Sequence, residues 1–131
     1  MQKEKTVRDF MTTDVHVLHE NAPINDAVDV LIRYRISGAP VVDDTGTVVG
    51  IISEKDCLRL LVTGQDHQPA DGVVADYMTR GVESVPSDMG IYFLAGLFLS
   101  KPYRRFPVID GNRLVGLISR HDVMKAAKSL R

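Results

Sequence analysis

The chain has 131 residues, of which 44% are hydrophobic and 25% charged, and its formal net charge is −1. This length can bury one good core, whereas two half-domains of roughly 65 residues would each be marginal alone. The near-zero charge argues against nucleic acid as the primary partner, because nucleic-acid binders usually carry a basic stripe. The single cysteine, Cys57, excludes an internal disulfide and fits a reducing compartment.

Several common kinds of segment and site are not recognisable in the sequence. The N-terminus carries no apolar stretch of the signal-peptide type, and the longest apolar run, 91–99, is far shorter than the roughly 20 residues that cross a bilayer. The histidines show no metal-ligand spacing with Cys57, and no glycine-rich phosphate loop or nucleophile–base pair can be assembled. We therefore expect a cytoplasmic protein that is not an enzyme, binds no metal and has no membrane partner.

The first half of the chain predicts two helices and three strands. In chain order we expect a helical turn at 6–11, a strand at 15–17, a helix at 24–34, strands at 39–42 and 47–52, and a helix at 54–62. The helix at 24–34 rests on apolar residues with i, i+3, i+4 and i+7 spacing, beginning at Ile24. Residues 43–46 supply the hairpin turn, and 67–73 are expected to form a linker.

The second half predicts the same order of elements. We expect a turn at 74–78, a strand at 82–85, a helix at 88–100, strands at 106–109 and 114–118, and a helix at 120–128. The helix at 88–100 is apolar on every side, whereas a surface helix should keep a polar face. It is therefore either wholly buried or the contact face of a homodimer, and we favour the homodimer.

The two halves are copies of one another. Gly50-Ile51-Ile52-Ser53-Glu54-Lys55-Asp56 returns as Gly116-Leu117-Ile118-Ser119-Arg120-His121-Asp122, at an offset of 66 residues. Upstream, Asp9-Phe10-Met11-Thr12 returns as Asp76-Tyr77-Met78-Thr79, and Ala39-Pro40-Val41-Val42-Asp43 returns as Phe106-Pro107-Val108-Ile109-Asp110, both at an offset of 67. We therefore divide the chain into repeat 1 (1–66), the linker (67–73) and repeat 2 (74–131), which together form one compact module.

With these motifs in both copies, the chain strongly resembles the tandem CBS domain, named after cystathionine β-synthase. The resemblance implies an α+β fold in which two βαββα repeats pack as a pseudo-two-fold pair, often called a Bateman module. It also implies a regulatory module that senses AMP, ADP, ATP or S-adenosylmethionine and signals to an unknown effector protein. No cofactor is required in such a module, and the adenosyl compound is its regulatory ligand.

The resemblance also implies where the ligand binds. The ribose and phosphate are expected to contact the Ser-x-x-Asp motifs and the cations beside them, namely Ser53, Lys55, Asp56, Ser119, Arg120, His121 and Asp122. In this family the motif of one repeat works with the base slot of the other. Ser119 and Asp122 are therefore assigned a slot made of Thr13, Val17, Ile36, Ser37 and Ala39. Ser53 and Asp56 are assigned Arg80, Val82, Tyr103, Arg104 and Phe106, where the segment 103–106 either stacks on a base and grips phosphate or fills the slot.

A simpler interpretation of Ser-x-x-Asp remains open. Ahead of a helix it is also a capping-box variant, in which the serine caps backbone donors and the acid reaches back. If capping is its only role, the chain is a structural dimerisation module without a physiological ligand.

Overall fold

The computed structural model describes residues 4–63 and 72–129, which form two compact units. Unit 1 contains the described residues up to Val15 and those from Glu83 onward, and unit 2 contains the described residues from His16 to Val82. The predicted linker lies outside the described residues except for Gly72 and Val73.

Unit 2 is a three-stranded sheet with two helices. Its elements are β1 (Leu18–His19), α1 (Ile24–Tyr34), β2 (Gly38–Val42), β3 (Val48–Ser53) and α2 (Glu54–Thr63). β2 lies between β1, to which it is parallel, and β3, to which it is antiparallel. The helix predicted at 24–34 is confirmed, and its buried stripe of Ile24, Ala27 and Leu31 faces the core. It ends at Tyr34, because the following residue, Arg35, has a left-handed backbone (φ 53°) that terminates the helix.

Unit 1 is built in the same way around a two-stranded hairpin. Its elements are α3 (Ile91–Ser100), β4 (Arg105–Asp110), β5 (Arg113–Ser119) and α4 (Arg120–Ser129). The strand predicted at 82–85 is wrong, because only Val85 forms a bridge, to Val108. Here the backbone N–H of Ser87 donates to Asp110 Oδ1 at 2.9 Å, whereas the equivalent N–H of Glu20 donates to the Val42 carbonyl. The Asp110 side chain therefore accepts the Ser87 N–H, which would otherwise have extended the parallel pairing with β4.

Two other predicted boundaries are also wrong. The first strand begins at Leu18 rather than at residue 15, because the buried Leu18 pairs with Val41 while Val17 is 45% exposed. Helix α3 begins at Ile91 rather than at residue 88, because the backbone of Met89 and Ile91 is hydrogen-bonded to the N-terminal segment. Both errors arise from pairings with distant residues, which local periodicity does not reveal.

Unit 1 holds most of repeat 2 together with the start of repeat 1, and unit 2 holds most of repeat 1 together with the start of repeat 2. Strap 1 (residues 5–12) lies in unit 1, and strap 2 (residues 72–79) lies in unit 2. Both straps are held at equivalent points. Strap 1 bonds through Lys5 O to Ile91 N, Val7 N to Met89 O, Arg8 N to Ser87 O, and Thr12 to Leu117 in both directions. Strap 2 bonds through Gly72 O to Ile24 N, Val74 N to Ala22 O, Ala75 N to Glu20 O, and Thr79 to Ile51 in both directions.

Each strap is anchored in the core of its unit by one valine. Val7 and Val74 are both fully buried, the first among the apolar side chains of α3, β4 and β5 and the second among those of α1, β2 and β3. The repeats in the sequence and the compact units in the structure therefore have different boundaries, because the opening segment of each repeat packs with the rest of the other repeat.

Candidate functional site

In unit 2, the Ser53–Asp56 motif forms a reciprocal cap at the start of α2. Asp56 Oδ2 accepts hydrogen bonds from the backbone N–H and the hydroxyl of Ser53, both at 2.9 Å. The Ser53 hydroxyl in turn accepts from the backbone N–H of Asp56 at 3.2 Å. The capping-box interpretation is therefore confirmed, and it uses only one oxygen of the carboxylate.

In unit 1, Ser119 and Asp122 form the same cap at the start of α4. Asp122 Oδ2 accepts from the Ser119 N–H at 2.9 Å and from its hydroxyl at 3.0 Å, and the Asp122 N–H donates to the hydroxyl at 3.2 Å. Both carboxylates are buried, with 3% of Asp56 and 9% of Asp122 exposed. Each helix start thus presents a fixed carboxylate whose Oδ1 is not used by the cap.

The strap of each unit crosses directly over the glycine that opens the motif. A methyl group added at Gly50 would lie 2.7 Å from the Thr79 carbonyl oxygen and 2.8 Å from Met78 Sδ. At Gly116 it would lie 2.9 Å from the Thr12 carbonyl oxygen and 2.7 Å from Met11 Sδ. Glycine is therefore required for the close approach of the strap, which brings a Met-Thr pair to each motif.

Thr79 is a residue of the site that the sequence analysis missed. Its hydroxyl donates to Asp56 Oδ1 at 3.4 Å, whereas the residues predicted from the sequence are the next ones along the chain, Arg80 and, in repeat 1, Thr13. The signal was present in the sequence, because Met-Thr recurs at the same offset as the other motifs. Its significance depends on the strap crossing, which the sequence does not show.

The predicted slot residues of unit 2 differ in their exposure. Ile36 and Ser37 are half-buried just before β2, and the Glu54 N–H donates to the Ser37 carbonyl at 3.0 Å, so these residues lie beside the start of α2. Val17 is 45% exposed. Ala39, however, is fully enclosed in the core, so its side chain packs rather than lining an open slot.

The corresponding residues of unit 1 carry aromatic rings and cations. Tyr103 is half-buried and lies edge-on to Phe106, with 5.6 Å between the ring centroids. Phe106 is 1% exposed and belongs to the core, so its side chain, like that of Ala39, does not line a slot. Arg104 is exposed. Arg120 holds the segment before β4, because its Nε donates to the Tyr103 carbonyl (2.9 Å) and its backbone N–H donates to the Arg104 carbonyl (3.0 Å).

The remaining predicted contact residues lie at the surface. Lys55 and His121 are exposed in the first turns of α2 and α4, and Thr13, in unit 1, is also exposed. In unit 2, Arg80 is exposed and Val82 is half-buried. Across residues 4–63 and 72–129 there is no cluster of three potential metal-ligating side chains and no helix long and apolar enough to cross a membrane.

Comparison with known families identifies the repeat. The sequence profile of the CBS domain matches residues 7–63 and again residues 74–129. The chain belongs to the CBS domain family. The family assignment and the mixed α+β fold predicted from the motifs are therefore confirmed.

Solved structures of other CBS pairs are similar over nearly the whole chain. CBSX2, solved in complex with AMP, is 33% identical with a TM-score of 0.83, covering 95% of this chain and 97% of that one. The CBS domain pair of protein MJ0100, solved with 5′-methylthioadenosine and S-adenosyl-L-methionine, is 25% identical with a TM-score of 0.84, covering 98% and 100%. Adenosyl compounds are thus the ligands of two proteins with this fold.

Curated relatives of this CBS pair are longer proteins. The uncharacterized protein MJ1225 of Methanocaldococcus jannaschii is 33% identical over 91% of this chain, which spans 41% of that relative. The chloroplastic CBS domain-containing protein CBSX2 of Arabidopsis thaliana is 29% identical over 96% of this chain, which spans 65% of it. The chain therefore covers less than two thirds of these relatives.

Proposed function

We propose that this CBS pair is a regulatory module that binds AMP, ADP, ATP or S-adenosylmethionine and signals its occupancy to a partner protein. The observation that carries the proposal is the pair of fixed carboxylates, Asp56 and Asp122, each with one oxygen outside its helix cap. The AMP and S-adenosylmethionine complexes of similar CBS pairs support the choice of ligand class. The proposed role is ligand binding without catalysis and without a resident cofactor.

The chemistry of an adenosyl ligand fits these helix starts. A ribose diol presents two hydroxyl donors, and a buried carboxylate oxygen held by a rigid cap is a suitable acceptor for them. A helix N-terminus favours the anion that follows the ribose, whether phosphate or carboxylate. Thr12 and Thr79, which the straps bring to the motifs, join the proposed contact residues, whereas the base slots stay predictions from the family resemblance.

A thermal-shift panel tests this proposal. AMP, ADP, ATP, S-adenosylmethionine and GTP are each added to the full chain, and a specific ligand at 100 times its dissociation constant should stabilise the fold by about 2.7 kcal/mol. This corresponds to a rise of several degrees in the unfolding midpoint for a chain of this length. The adenosyl compounds should raise the midpoint and GTP should not. A panel in which none of them raises it would contradict the proposal.

The alternative function, a structural dimerisation module, is favoured by the exposed apolar side chains of the helices. In α3, Tyr92 and Phe93 are each 66% exposed and Leu99 is 91% exposed, so the helix is not wholly buried. α1 and α2 also present apolar residues, Ile32 at 71% and Leu61 at 79% exposure. Such faces are typical of surfaces that meet another chain.

We propose that the chain forms a homodimer in which the face of α3 takes part. Leu99→Asp should shift the protein from dimer to monomer in light scattering coupled to size-exclusion chromatography, because a carboxylate would be buried at the interface. Asn112→Asp, which adds the same charge at an exposed position in the turn between β4 and β5, is the matched control and should remain dimeric. A monomeric wild type, or an unchanged Leu99→Asp dimer, would contradict this assignment.

A further inference from the structure

The two carboxylates of the motifs are not equally available to a ligand. At Asp56, the oxygen outside the cap already accepts a hydrogen bond from the Thr79 hydroxyl at 3.4 Å, and Arg59 Nη1 lies 3.9 Å from it. The Asp56 side chain is 4% exposed. A ribose that binds here must compete with the Thr79 hydroxyl or share the oxygen with it.

At Asp122 the corresponding oxygen has fewer competitors. Lys125 Nζ lies 3.9 Å from Oδ1, as Arg59 does in unit 2, but within the described residues no hydroxyl donates to this oxygen. The Asp122 side chain is 12% exposed, about three times as much as that of Asp56. Asp122 therefore offers an acceptor with less protein competition.

The charges beside the two carboxylates also differ. In unit 1, Arg120 opens α4, and its backbone N–H bonds to the carbonyl of the exposed Arg104. The Nε of Arg120 is used by the Tyr103 carbonyl, which leaves its two Nη groups without a hydrogen bond among residues 4–63 and 72–129.

The equivalent positions of unit 2 do not carry this positive charge. Glu54 opens α2 where Arg120 opens α4, and Ser37 takes the place of Arg104. The negative charge of Glu54 and the positive charge of the adjacent Lys55 cancel, whereas the positive charges of Arg104 and Arg120 in unit 1 add. Unit 2 has one cation that unit 1 lacks, because the exposed Arg80 follows strap 2 where Thr13 follows strap 1. With Glu54 and Lys55 cancelling, unit 2 keeps one positive charge against the two of Arg104 and Arg120, so an anionic group bound after the ribose is attracted more strongly in unit 1.

From these two differences we propose that Asp122 forms the stronger of the two sites and selects a phosphorylated adenosyl ligand. Asp56 then forms the weaker site, with a smaller preference for phosphate. This inference rests on the proposed function, because it ranks sites whose existence that function assumes. It departs from the family-based assignment of Arg104 to Ser53 and Asp56, because the Arg104 carbonyl accepts a hydrogen bond from the backbone N–H of Arg120 at the start of α4.

Isothermal titration of the full chain with AMP and with adenosine tests the ranking. Asp122→Asn and Asp56→Asn are the matched variants. The asparagine oxygen can still accept the hydrogen bonds of the cap, while the amide nitrogen replaces the carboxylate oxygen that is free to accept from a ligand. Asp122→Asn should weaken the tighter AMP event at least tenfold, and Asp56→Asn should weaken it less than threefold. The exposed Asp29→Asn in α1 controls for the loss of one negative charge and should leave the titration unchanged. Ligand-free unfolding midpoints confirm that each variant is folded.

Charge substitutions test the selection of phosphate. Arg120→Glu should lower AMP affinity at the tighter site at least fivefold while leaving adenosine affinity within a factor of two. Glu54→Arg should change the tighter AMP event less than Arg120→Glu does. A glutamate in the first turn is favourable for a helix, so Arg120→Glu is expected to fold.

The outcomes separate this inference from the proposed function. A larger loss of AMP affinity in Asp56→Asn than in Asp122→Asn, or equal losses, would overturn the ranking and leave adenosyl binding intact. Binding of S-adenosylmethionine without AMP would overturn the phosphate preference alone. A wild type that binds neither AMP, adenosine nor S-adenosylmethionine would overturn both.

Discussion

Each strap crosses its motif so closely that a single added methyl group should disrupt the contact. In Gly116→Ala, the new Cβ would meet Met11 Sδ and the Thr12 carbonyl oxygen at 2.7 and 2.9 Å. The thioether can swing away, but the carbonyl is part of the backbone and accepts the Leu117 N–H at 2.9 Å, so strap 1 itself must move. The cost of such overpacking is about 1–3 kcal/mol. The reduced entropy of the unfolded alanine chain offsets about 0.4–1 kcal/mol, which leaves a net loss of roughly 1–2 kcal/mol.

Urea denaturation followed by circular dichroism measures this loss. Gly50→Ala should be at least as destabilising, because its Cβ would lie 2.7 Å from the Thr79 carbonyl oxygen. The matched control is Gly96→Ala in α3, where the added methyl meets nothing within 4 Å and should stabilise the helix by about 0.5–1 kcal/mol. If both strap variants are as stable as the wild type to within about 0.5 kcal/mol, the straps do not cross the motifs as closely as described.

Three further predictions concern single side chains. Ser119→Ala removes the cap of α4 and should lower the free energy of unfolding by about 1 kcal/mol in urea denaturation, whereas an unchanged midpoint would contradict the cap. The Ser87 hydroxyl donates to Asp110 at 2.6 Å and holds the pKa of that carboxyl below its usual value of 3.8. This contribution is present above the usual pKa and is lost as the pH falls through the lowered folded value, so Ser87→Ala should show a shallower loss of stability in acid than the wild type. Burial raises the pKa of the Cys57 thiol, so iodoacetamide should modify it more slowly at neutral pH in the native protein than in urea, and equal rates would refute this.

Local sequence patterns were sufficient for most elements of the fold. The i, i+3, i+4, i+7 stripe located α1 to the residue, and the turn residues at 43–46 located the hairpin of unit 2. The errors at Leu18, Val85 and Ile91 have one physical cause, since each position is fixed by a hydrogen-bonded partner far along the chain. Periodicity reports which face of a segment is buried, and it does not report the partner that decides where the segment starts.

The candidate site was predictable in part for the same reason. Ser53, Asp56 and their equivalents were identified because capping is a local interaction whose spacing can be read directly. Thr79 was missed because its proximity to Asp56 is created by the crossing of strap 2, and Ala39 was assigned to a slot although its side chain is enclosed by the core. Burial and strap pairing are properties of the assembled unit, so no single segment encodes them.

The capping and ligand-binding interpretations of Ser-x-x-Asp are compatible because the carboxylate has two oxygens. At Asp122, Oδ2 is fixed by the backbone and hydroxyl of Ser119, which sets the orientation of the whole group before any ligand arrives. On the proposed function, a ligand that binds at Oδ1 would cost little side-chain entropy, because the rotamer is already fixed by the fold. Comparing a longer side chain with an isosteric neutral one separates the two roles. In Asp122→Glu, the carboxylate would lie one methylene farther from the helix start, so we expect loss of both the cap and the tighter AMP event, whereas Asp122→Asn keeps the first and loses the second. A glutamate variant that retained full AMP affinity with a broken cap would show that pre-orientation by the cap contributes nothing to binding.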